Sequence, residues 1–203
     1  IRQTGLREIN GDLVLDHSYY NLAPGNPAAF DGEPYKPYNV LPEALLVNYR
    51  TSALHVMPDR QQGQIRIVEE NCSNGRNRLQ TEIIKNGNEQ PTVRFNGNYS
   101  VHCSHHTYYL SLHDSSDYIH QLFKRFWQES GGSFSGNVKR GTSPAGAAPI
   151  RVYRSPPLAD VIRGINKFSN NVAARQLYLS LGEKQNHGNQ ALSLDLARSA
   201  VQQ

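Results

Sequence analysis

The first part of the chain alternates short apolar runs with turn signals, a pattern typical of β-strands. An apolar run at residues 12–16 follows an Asn-Gly turn, and residues 64–68 (Gln-Ile-Arg-Ile-Val) alternate polar and apolar positions. Five prolines between residues 21 and 42 predict a long ordered loop, because proline lacks the backbone donor that a sheet needs. We predict further strands, in a mostly antiparallel arrangement, at residues 44–50, 53–57, 64–70, 79–85, 92–95 and 107–113.

A helical pattern replaces the β pattern after residue 114. Ser115 or Ser116 is placed to cap a helix, and Gly131-Gly132 is placed to end it. Its apolar residues recur at i, i+3, i+4, i+7 and i+8 and share one face, which we expect to pack in the core: Ile119, Leu122, Phe123, Phe126 and Trp127.

Three more helices are predicted beyond a small-residue linker at residues 141–149. The first is opened by Pro156 with Ser155 as its cap, the second covers about residues 170–181, and the third begins near Ser193 and still runs at Gln203. The predicted fold class is therefore α+β. We expect a domain boundary at the linker, with a β-rich region of one or two subdomains at residues 1–143 and a helical segment at residues 147–203.

Composition and charge narrow the classes of function. The 203 residues carry a net charge of +4, and no run of Lys and Arg exceeds two residues, so we predict no nucleic-acid partner. No apolar stretch approaches the roughly 18 residues of a membrane span, and no signal-peptide pattern is present. The chain begins at Ile1 rather than Met, and we expect a processed protein or a piece of a longer one.

Three consecutive polar residues, Ser169-Asn170-Asn171, stand where one predicted helix stops and the next begins. Such a junction presents a hydroxyl and two amides on a rigid corner. Taken alone, the triplet is typical of a helix cap. The alternative is a corner that carries chemistry, and the surrounding sequence favours this alternative.

The surrounding sequence resembles a known family. Ser-Asn-Asn, preceded by Asn-Lys-Phe and followed by Ala-x-x-Leu, resembles the middle motif of the penicillin-binding serine enzymes, which reads Ser-Asp-Asn in β-lactamases. Further blocks resemble the D-alanyl-D-alanine carboxypeptidase/endopeptidase family, the class C low-molecular-mass penicillin-binding proteins of the penicillin-binding protein four type. They are Gly-Asp-Leu-Val-Leu-Asp at residues 11–16, Asn-Val-Leu-Pro-Glu-Ala-Leu-Leu-Val-Asn at 39–48 and Ser-Pro-Pro-Leu-Ala-Asp-Val at 155–161.

The resemblance implies an activity and a set of roles. Such an enzyme cleaves the D-Ala–D-Ala bond of peptidoglycan stem peptides, or the cross-link between them, through an acyl-serine intermediate. It is acylated by β-lactam antibiotics, needs no cofactor or metal, and is exported to the periplasm. By the same resemblance Ser169 relays a proton, and Asn171 holds the peptide group of the substrate and orients a catalytic lysine. Asn170 is expected to point away and brace the turn, and Lys167 to be a solvated cation at a helix end.

Two motifs that this family needs are missing. No serine is followed by a lysine three positions later, since Ser135 and Lys139 are four apart, and Lys-Thr-Gly does not occur. We therefore expect a fragment of the peptidase, inactive by itself, in which residues 1–143 belong to the insertion between active-site motifs. The alternative is a non-catalytic module that binds peptidoglycan or a partner through its β region.

The remaining polar clusters have simpler interpretations. His102, Cys103, His105 and His106 form one cluster, whereas structural zinc usually needs two, so we predict no metal site. His113-Asp114-Ser115 reads as a strand end and a helix cap, because a catalytic triad is assembled in space rather than from neighbours. Some members of the exported family carry a cysteine pair at similar places, and the resemblance therefore implies a Cys72–Cys103 disulfide. Two free, buried thiols are the alternative.

Overall fold

The structure, a computed structural model, describes residues 5–56, 66–68, 79–85, 91–100, 106–186 and 190–202. The chain divides into two compact units, the first of residues 1–50 and 113–203 and the second of residues 51–112. The first unit thus groups the beginning of the chain with the helices. The domain boundary predicted between residues 143 and 147 stays a prediction.

Both strands and helices are present, and the predicted α+β class is confirmed. The described strands are β1 (Glu8–Ile9), β2 (Leu13–Leu15), β3 (Thr51–Val56), β4 (Arg66–Val68), β5 (Gln80–Ile84), β6 (Thr92–Asn96), β7 (Asn98–Ser100), β8 (His106–Ser111), β9 (Ser133–Phe134) and β10 (Val138–Arg140). The described helices are α1 (Ser115–Glu129), α2 (Leu158–Phe168), α3 (Asn171–Ser180) and α4 (Leu194–Val201). Short 3-10 turns lie at Pro27–Ala29, Pro37–Asn39, Asn48–Arg50 and Leu181–Gln185.

Two parallel strand pairs join the beginning of the chain to the region after α1. β1 pairs with β9, β2 pairs with β10, and α1 packs against β9 and β10. Leu15 and Phe134 are buried here, and the rings of Phe123 and Phe134 meet edge to face with centroids 5.6 Å apart. The strand predicted at residues 12–16 is confirmed as β2.

The start of α1 differs from the prediction by one residue. Asp114 is the N-cap, and its Oδ1 accepts from the backbone N–H of Asp117 at 3.0 Å. Ser115 and Ser116, the predicted caps, lie inside the first turn and are buried. An aspartate just outside the helix accepts from the free N–H groups of the first turn and also suits the positive end of the helix dipole.

The apolar face of α1 is only partly buried. Trp127 is buried, and its indole N–H donates to the carbonyl of Ser133 at 2.8 Å. Phe126 was also expected in the core, but it is 57% exposed. The neighbouring strands are only two or three residues long, so they cover one side of a 15-residue helix and leave the other side to solvent.

The second unit contains three strand pairs among its described residues. β3–β8 and β5–β6 are antiparallel, and β4–β7 is parallel. Leu79 and Tyr99 form its buried cluster, with Val56, Phe95 and Tyr108 packed against them. The strands predicted at residues 53–57, 64–70, 79–85, 92–95 and 107–113 correspond to β3, β4, β5, β6 and β8 with shifted ends.

The strand predicted at residues 44–50 is wrong. Asn48, Tyr49 and Arg50 have φ angles of 47°, 50° and 53°, in the left-handed region that a strand cannot contain. The carbonyls of Glu43 and Leu45 accept hydrogen bonds from side chains of α3 and α1 instead of from a neighbouring strand. The segment is therefore a turn held by helices, although its apolar residues resemble a strand.

The three C-terminal helices occur where the periodicity predicts them. α2 begins at Leu158 rather than Pro156 and has no side-chain cap, α3 is capped by Asn170, and α4 is capped by Ser193. α4 ends at Val201, two residues earlier than predicted. Val172, Leu179, Leu192 and Ala197 are buried around α3 and α4. These residues form the apolar packing between α3 and α4.

Candidate active site

Ser169 occupies the corner between α2 and α3. Its backbone is left-handed, with φ 49° and ψ 46°, and its N–H still donates to the carbonyl of Ile165. Glycine is the usual residue at such a helix end, and a non-glycine residue there costs about 1–2 kcal/mol. The side chain is exposed, and within the described residues its hydroxyl makes no hydrogen bond. The corner therefore presents a serine hydroxyl at a position where stability alone favours glycine.

Asn170 braces this corner, as the sequence predicts. Its Oδ1 accepts from the backbone N–H of Ala173 at 3.0 Å and caps α3. Its Nδ2 donates to the hydroxyl of Tyr49 at 2.6 Å. Because the cap requires an acceptor, the amide orientation is fixed, and the two bonds use both ends of the side chain.

Asn171 begins α3 and borders a cavity of about 390 Å³. The residues around the cavity include exposed aromatic rings and one cation: Phe30, Tyr38, Asn39, Ala174, Arg175 and Tyr178. An amide that can both donate and accept thus lies at the edge of a recess with aromatic and cationic walls. This combination suits a peptide-like ligand that carries a carboxylate.

The wall of the cavity that bears Tyr38 is held rigid by Asp31. The carboxylate of Asp31 accepts from the Tyr38 hydroxyl at 2.8 Å, from Asn39 Nδ2 at 2.7 Å and from the Glu33 N–H at 3.0 Å. Desolvation raises the pKa of Asp31, but these hydrogen bonds together outweigh it and hold the pKa below its usual value. The wall is therefore preorganised by a carboxylate that stays ionised near neutral pH.

The segment at residues 43–50 is hydrogen-bonded to α3, which begins at the corner, and to α1. Gln176 of α3 donates through Nε2 to the Glu43 carbonyl at 2.8 Å, and the Ser115 hydroxyl of α1 donates to the Leu45 carbonyl at 2.8 Å. Asn48 Nδ2 donates to the Tyr118 hydroxyl at 2.9 Å. These bonds link residues distant in sequence, so the position of the segment is determined by the tertiary fold.

The other predicted polar groups lie elsewhere. Lys167 is exposed in the last turn of α2, with its Nζ 5.4 Å from the ring centroid of Phe168. Among the residues that the structure describes, no group of three His, Cys, Asp or Glu side chains could hold a metal ion. Cys72, His102, Cys103 and His105 lie outside the described residues, so the disulfide stays a prediction.

A family comparison identifies the class of protein. The model of the D-Ala-D-Ala carboxypeptidase 3 (S13) family matches residues 1–203. The chain belongs to this family. The family predicted from the sequence blocks is thereby confirmed, whereas the roles of Ser169 and Asn171 stay predictions. No curated protein matches the chain significantly.

Solved structures of the family share the fold. A crystal structure of penicillin binding protein 4 from Haemophilus influenzae aligns with a TM-score of 0.73 and 18% identity, over 99% of this chain and 47% of that one. A second structure of that protein, in complex with a β-lactam, aligns with a TM-score of 0.63 and 20% identity, over 99% of this chain and 44% of that one. The chain therefore spans about half the length of these relatives. None of its described helices is long and apolar enough to cross a bilayer.

Sequence reasoning missed three contributors to the site. Tyr49 falls in the strand predicted at residues 44–50, and Phe30 and Tyr38 fall in the predicted proline-rich loop, to which the sequence assigns no role. The proximity of these residues to Asn170 and Asn171 arises from contacts across long sequence separations, such as the 121 residues between Tyr49 and Asn170. No local pattern carries that information.

Proposed function

We propose that this chain is part of a serine-type D-Ala-D-Ala carboxypeptidase or endopeptidase that acts on peptidoglycan stem peptides. The observation that carries the proposal is the exposed Ser169 hydroxyl on a left-handed corner, in a chain of the S13 family. Glycine would be more stable at this left-handed position, so the presence of a serine there points to a functional role. The conserved chemistry of acyl transfer needs a hydroxyl at such a place to move a proton.

In the proposed mechanism this chain supplies one wall of the active site. The nucleophilic serine, its lysine base and the carboxylate anchor would come from Ser-x-x-Lys and Lys-Thr-Gly motifs of a longer enzyme. Attack of the serine on the D-Ala carbonyl breaks the peptide bond, and the leaving amine must gain a proton. Ser169 would relay this proton from the lysine, and Asn171 would hold the peptide group by its amide. Water then releases the acyl group.

The cavity beside Asn171 is the proposed place for part of the substrate. Phe30 and Tyr38 offer apolar faces, and Arg175 offers a guanidinium that pairs well with carboxylates. A stem peptide carries both apolar segments and carboxylates. The second crystal structure contains a β-lactam, and we propose that the enzyme containing this chain is likewise acylated by penicillins, in the periplasm.

Labelling with a fluorescent penicillin tests the proposal. We expect the longer enzyme to form a covalent band on a denaturing gel, and the 203-residue chain alone to form none. Ser169→Ala in the longer enzyme should slow acylation by about 10²–10⁴-fold, the usual contribution of a proton-transfer group. The matched control is Ser180→Ala, whose hydroxyl donates to the Gln176 carbonyl within α3 at 2.9 Å, and which should leave the acylation rate unchanged.

Two outcomes would contradict the proposal. A longer enzyme that does not label would remove the peptidase assignment and favour a non-catalytic peptidoglycan-binding module. Labelling of the 203-residue chain alone would show that it contains a nucleophile, and the division of roles proposed above would be wrong.

A further inference from the structure

The turn at Asn48–Arg50 is strained in a way that local sequence does not explain. Three consecutive non-glycine residues have φ near 50°. Left-handed residues normally occur singly, because the Cβ atom crowds the following carbonyl. Such strain persists only where surrounding contacts enforce it, and it concentrates at functional sites.

The strained turn directs two neighbouring side chains to two different helices. Asn48 donates to Tyr118 of α1 at 2.9 Å, and the hydroxyl of Tyr49 accepts from Asn170 Nδ2 at 2.6 Å. In addition, the backbone N–H of Arg50 donates to the Val47 carbonyl at 2.9 Å, and its guanidinium lies 3.5 Å from the Glu43 carboxylate. The turn is therefore anchored on both sides of Tyr49.

The partner of Tyr49 stands between the two candidate site residues. Asn170 directly follows Ser169 and directly precedes Asn171, and its other end caps α3. Rotation of the Asn170 side chain would break either the cap or the bond to Tyr49. Tyr49 thus opposes rotation of the peptide units that carry both neighbours.

We propose that Tyr49 is a positioning residue for the Ser169–Asn171 corner. Its hydroxyl holds the Asn170 amide, so that the Ser169 hydroxyl and the Asn171 amide keep the geometry needed for acylation. The inference rests on the proposed peptidase function. Tyr49 touches neither substrate nor reacting atoms in this mechanism, and the proposed effect on the corner passes through its hydrogen bond to Asn170.

The test compares hydroxyl-deletion variants of the longer enzyme. Tyr49→Phe removes the acceptor and keeps the ring, and the matched control Tyr153→Phe removes a hydroxyl from a side chain that is 89% exposed. We expect Tyr49→Phe to slow acylation by fluorescent penicillin about tenfold, because small misplacements of reacting groups reduce rates by up to about 100-fold. The melting temperature should fall by no more than a few degrees, and Tyr153→Phe should change neither quantity.

A second pair of variants separates this link from the helix cap. Asn170→Ser keeps a good N-cap but is too short to reach Tyr49, whereas Asn170→Asp can accept from both Ala173 N–H and the Tyr49 hydroxyl. Asn170→Ser should slow acylation as much as Tyr49→Phe, and the double variant should be no slower than either. Asn170→Asp should recover most of the rate.

The outcomes distinguish the inference from the function on which it rests. Wild-type enzyme that does not label would refute the proposed function. Labelling wild-type enzyme together with Tyr49→Phe that acylates at the wild-type rate would overturn the positioning role alone. Independent, multiplying effects of Tyr49→Phe and Asn170→Ser would overturn it as well, and so would a rate loss that follows the loss of folded protein.

Discussion

The two helices that meet at Ser169 are supported very differently. α3 buries Val172 and Leu179, is capped by Asn170, and is bonded through Gln176 to the Glu43 carbonyl. Across the whole of α2, by contrast, no residue is buried in the described structure, and Leu158 and Phe168 are 58% and 72% exposed. The corner is therefore held from the α3 side.

This difference indicates how the chain positions the Ser169 hydroxyl without a large core. α3 is fixed by apolar packing beneath it and by the hydrogen bonds that Asn170 and Gln176 donate to the segment at residues 43–50. α2 carries an apolar face at helical spacing, on which Val161 and Ile165 are partly buried whereas Leu158 and Ile162 are exposed. The α2 side of the corner follows α3 rather than determining its position.

The largest expected difference between α3 and α2 comes from shortening a buried side chain of α3. Leu179 is 1% exposed, and Leu179→Ala should lower the free energy of unfolding by about 2–4 kcal/mol, through lost transfer energy and a cavity. The matched variant Leu158→Ala, in α2, should change it by less than about 0.5 kcal/mol. Urea denaturation followed by circular dichroism measures both, and equal losses would contradict the proposed asymmetry.

The second largest loss of stability is expected from removal of the Asn170 cap of α3. Asn170→Ala removes the acceptor for the Ala173 N–H and the donor to Tyr49, and should destabilise the protein by about 1–2 kcal/mol. Asn166→Ala, at an exposed position of α2, is the control and should stay within about 0.5 kcal/mol of wild type. If the two variants unfold at the same urea concentration, the bracing role of Asn170 is wrong.

The sequence predicts the positions of the helices well, because helix boundaries depend on local signals. Periodicity and capping residues located α1, α3 and α4 closely, and the Ser-Asn-Asn triplet was placed at the correct junction. The error at residues 44–50 has the opposite origin. The apolar run at residues 44–50 is typical of a strand, but its last three residues form a left-handed turn. Side chains of α1 and α3 hold this segment by hydrogen bonds, and nothing in the run itself encodes those bonds.

The same reasoning explains which site residues escaped prediction. Ser169 and Asn171 belong to a contiguous motif, so a resemblance finds them. Tyr49 reaches Asn170 from 121 residues away, and Tyr38 reaches the cavity through a loop ordered by Asp31. Contacts of this kind depend on the complete fold, and one sequence without its relatives does not contain the covariation that would reveal them.

The smallest expected change in stability comes from Asp16, which joins the end of β2 to the segment that precedes α2. Asp16, at the end of β2, accepts from the Ser18 hydroxyl at 2.5 Å, the Ser143 N–H at 3.0 Å and the Ser18 N–H at 2.9 Å, and these bonds lower its pKa to about 2. Because the folded pKa lies below the unfolded value of about 3.9, the stabilisation is fully present above pH 4. It is lost as the pH falls through about 2.

Asp16→Asn should therefore flatten the acid limb of the stability profile between about pH 4 and pH 2. The control is Asn166→Ala, at an exposed position of α2, which removes no ionisable group and should leave that limb unchanged. Urea midpoints at pH 2.5, 4 and 7 measure the difference. Since Asp16 remains partly exposed to solvent, the effect should be small and should shrink further in high salt. An acid limb identical to that of wild type would show that the tie between β2 and Ser143 does not stabilise the protein, leaving α3 and its partners as the main support of the corner.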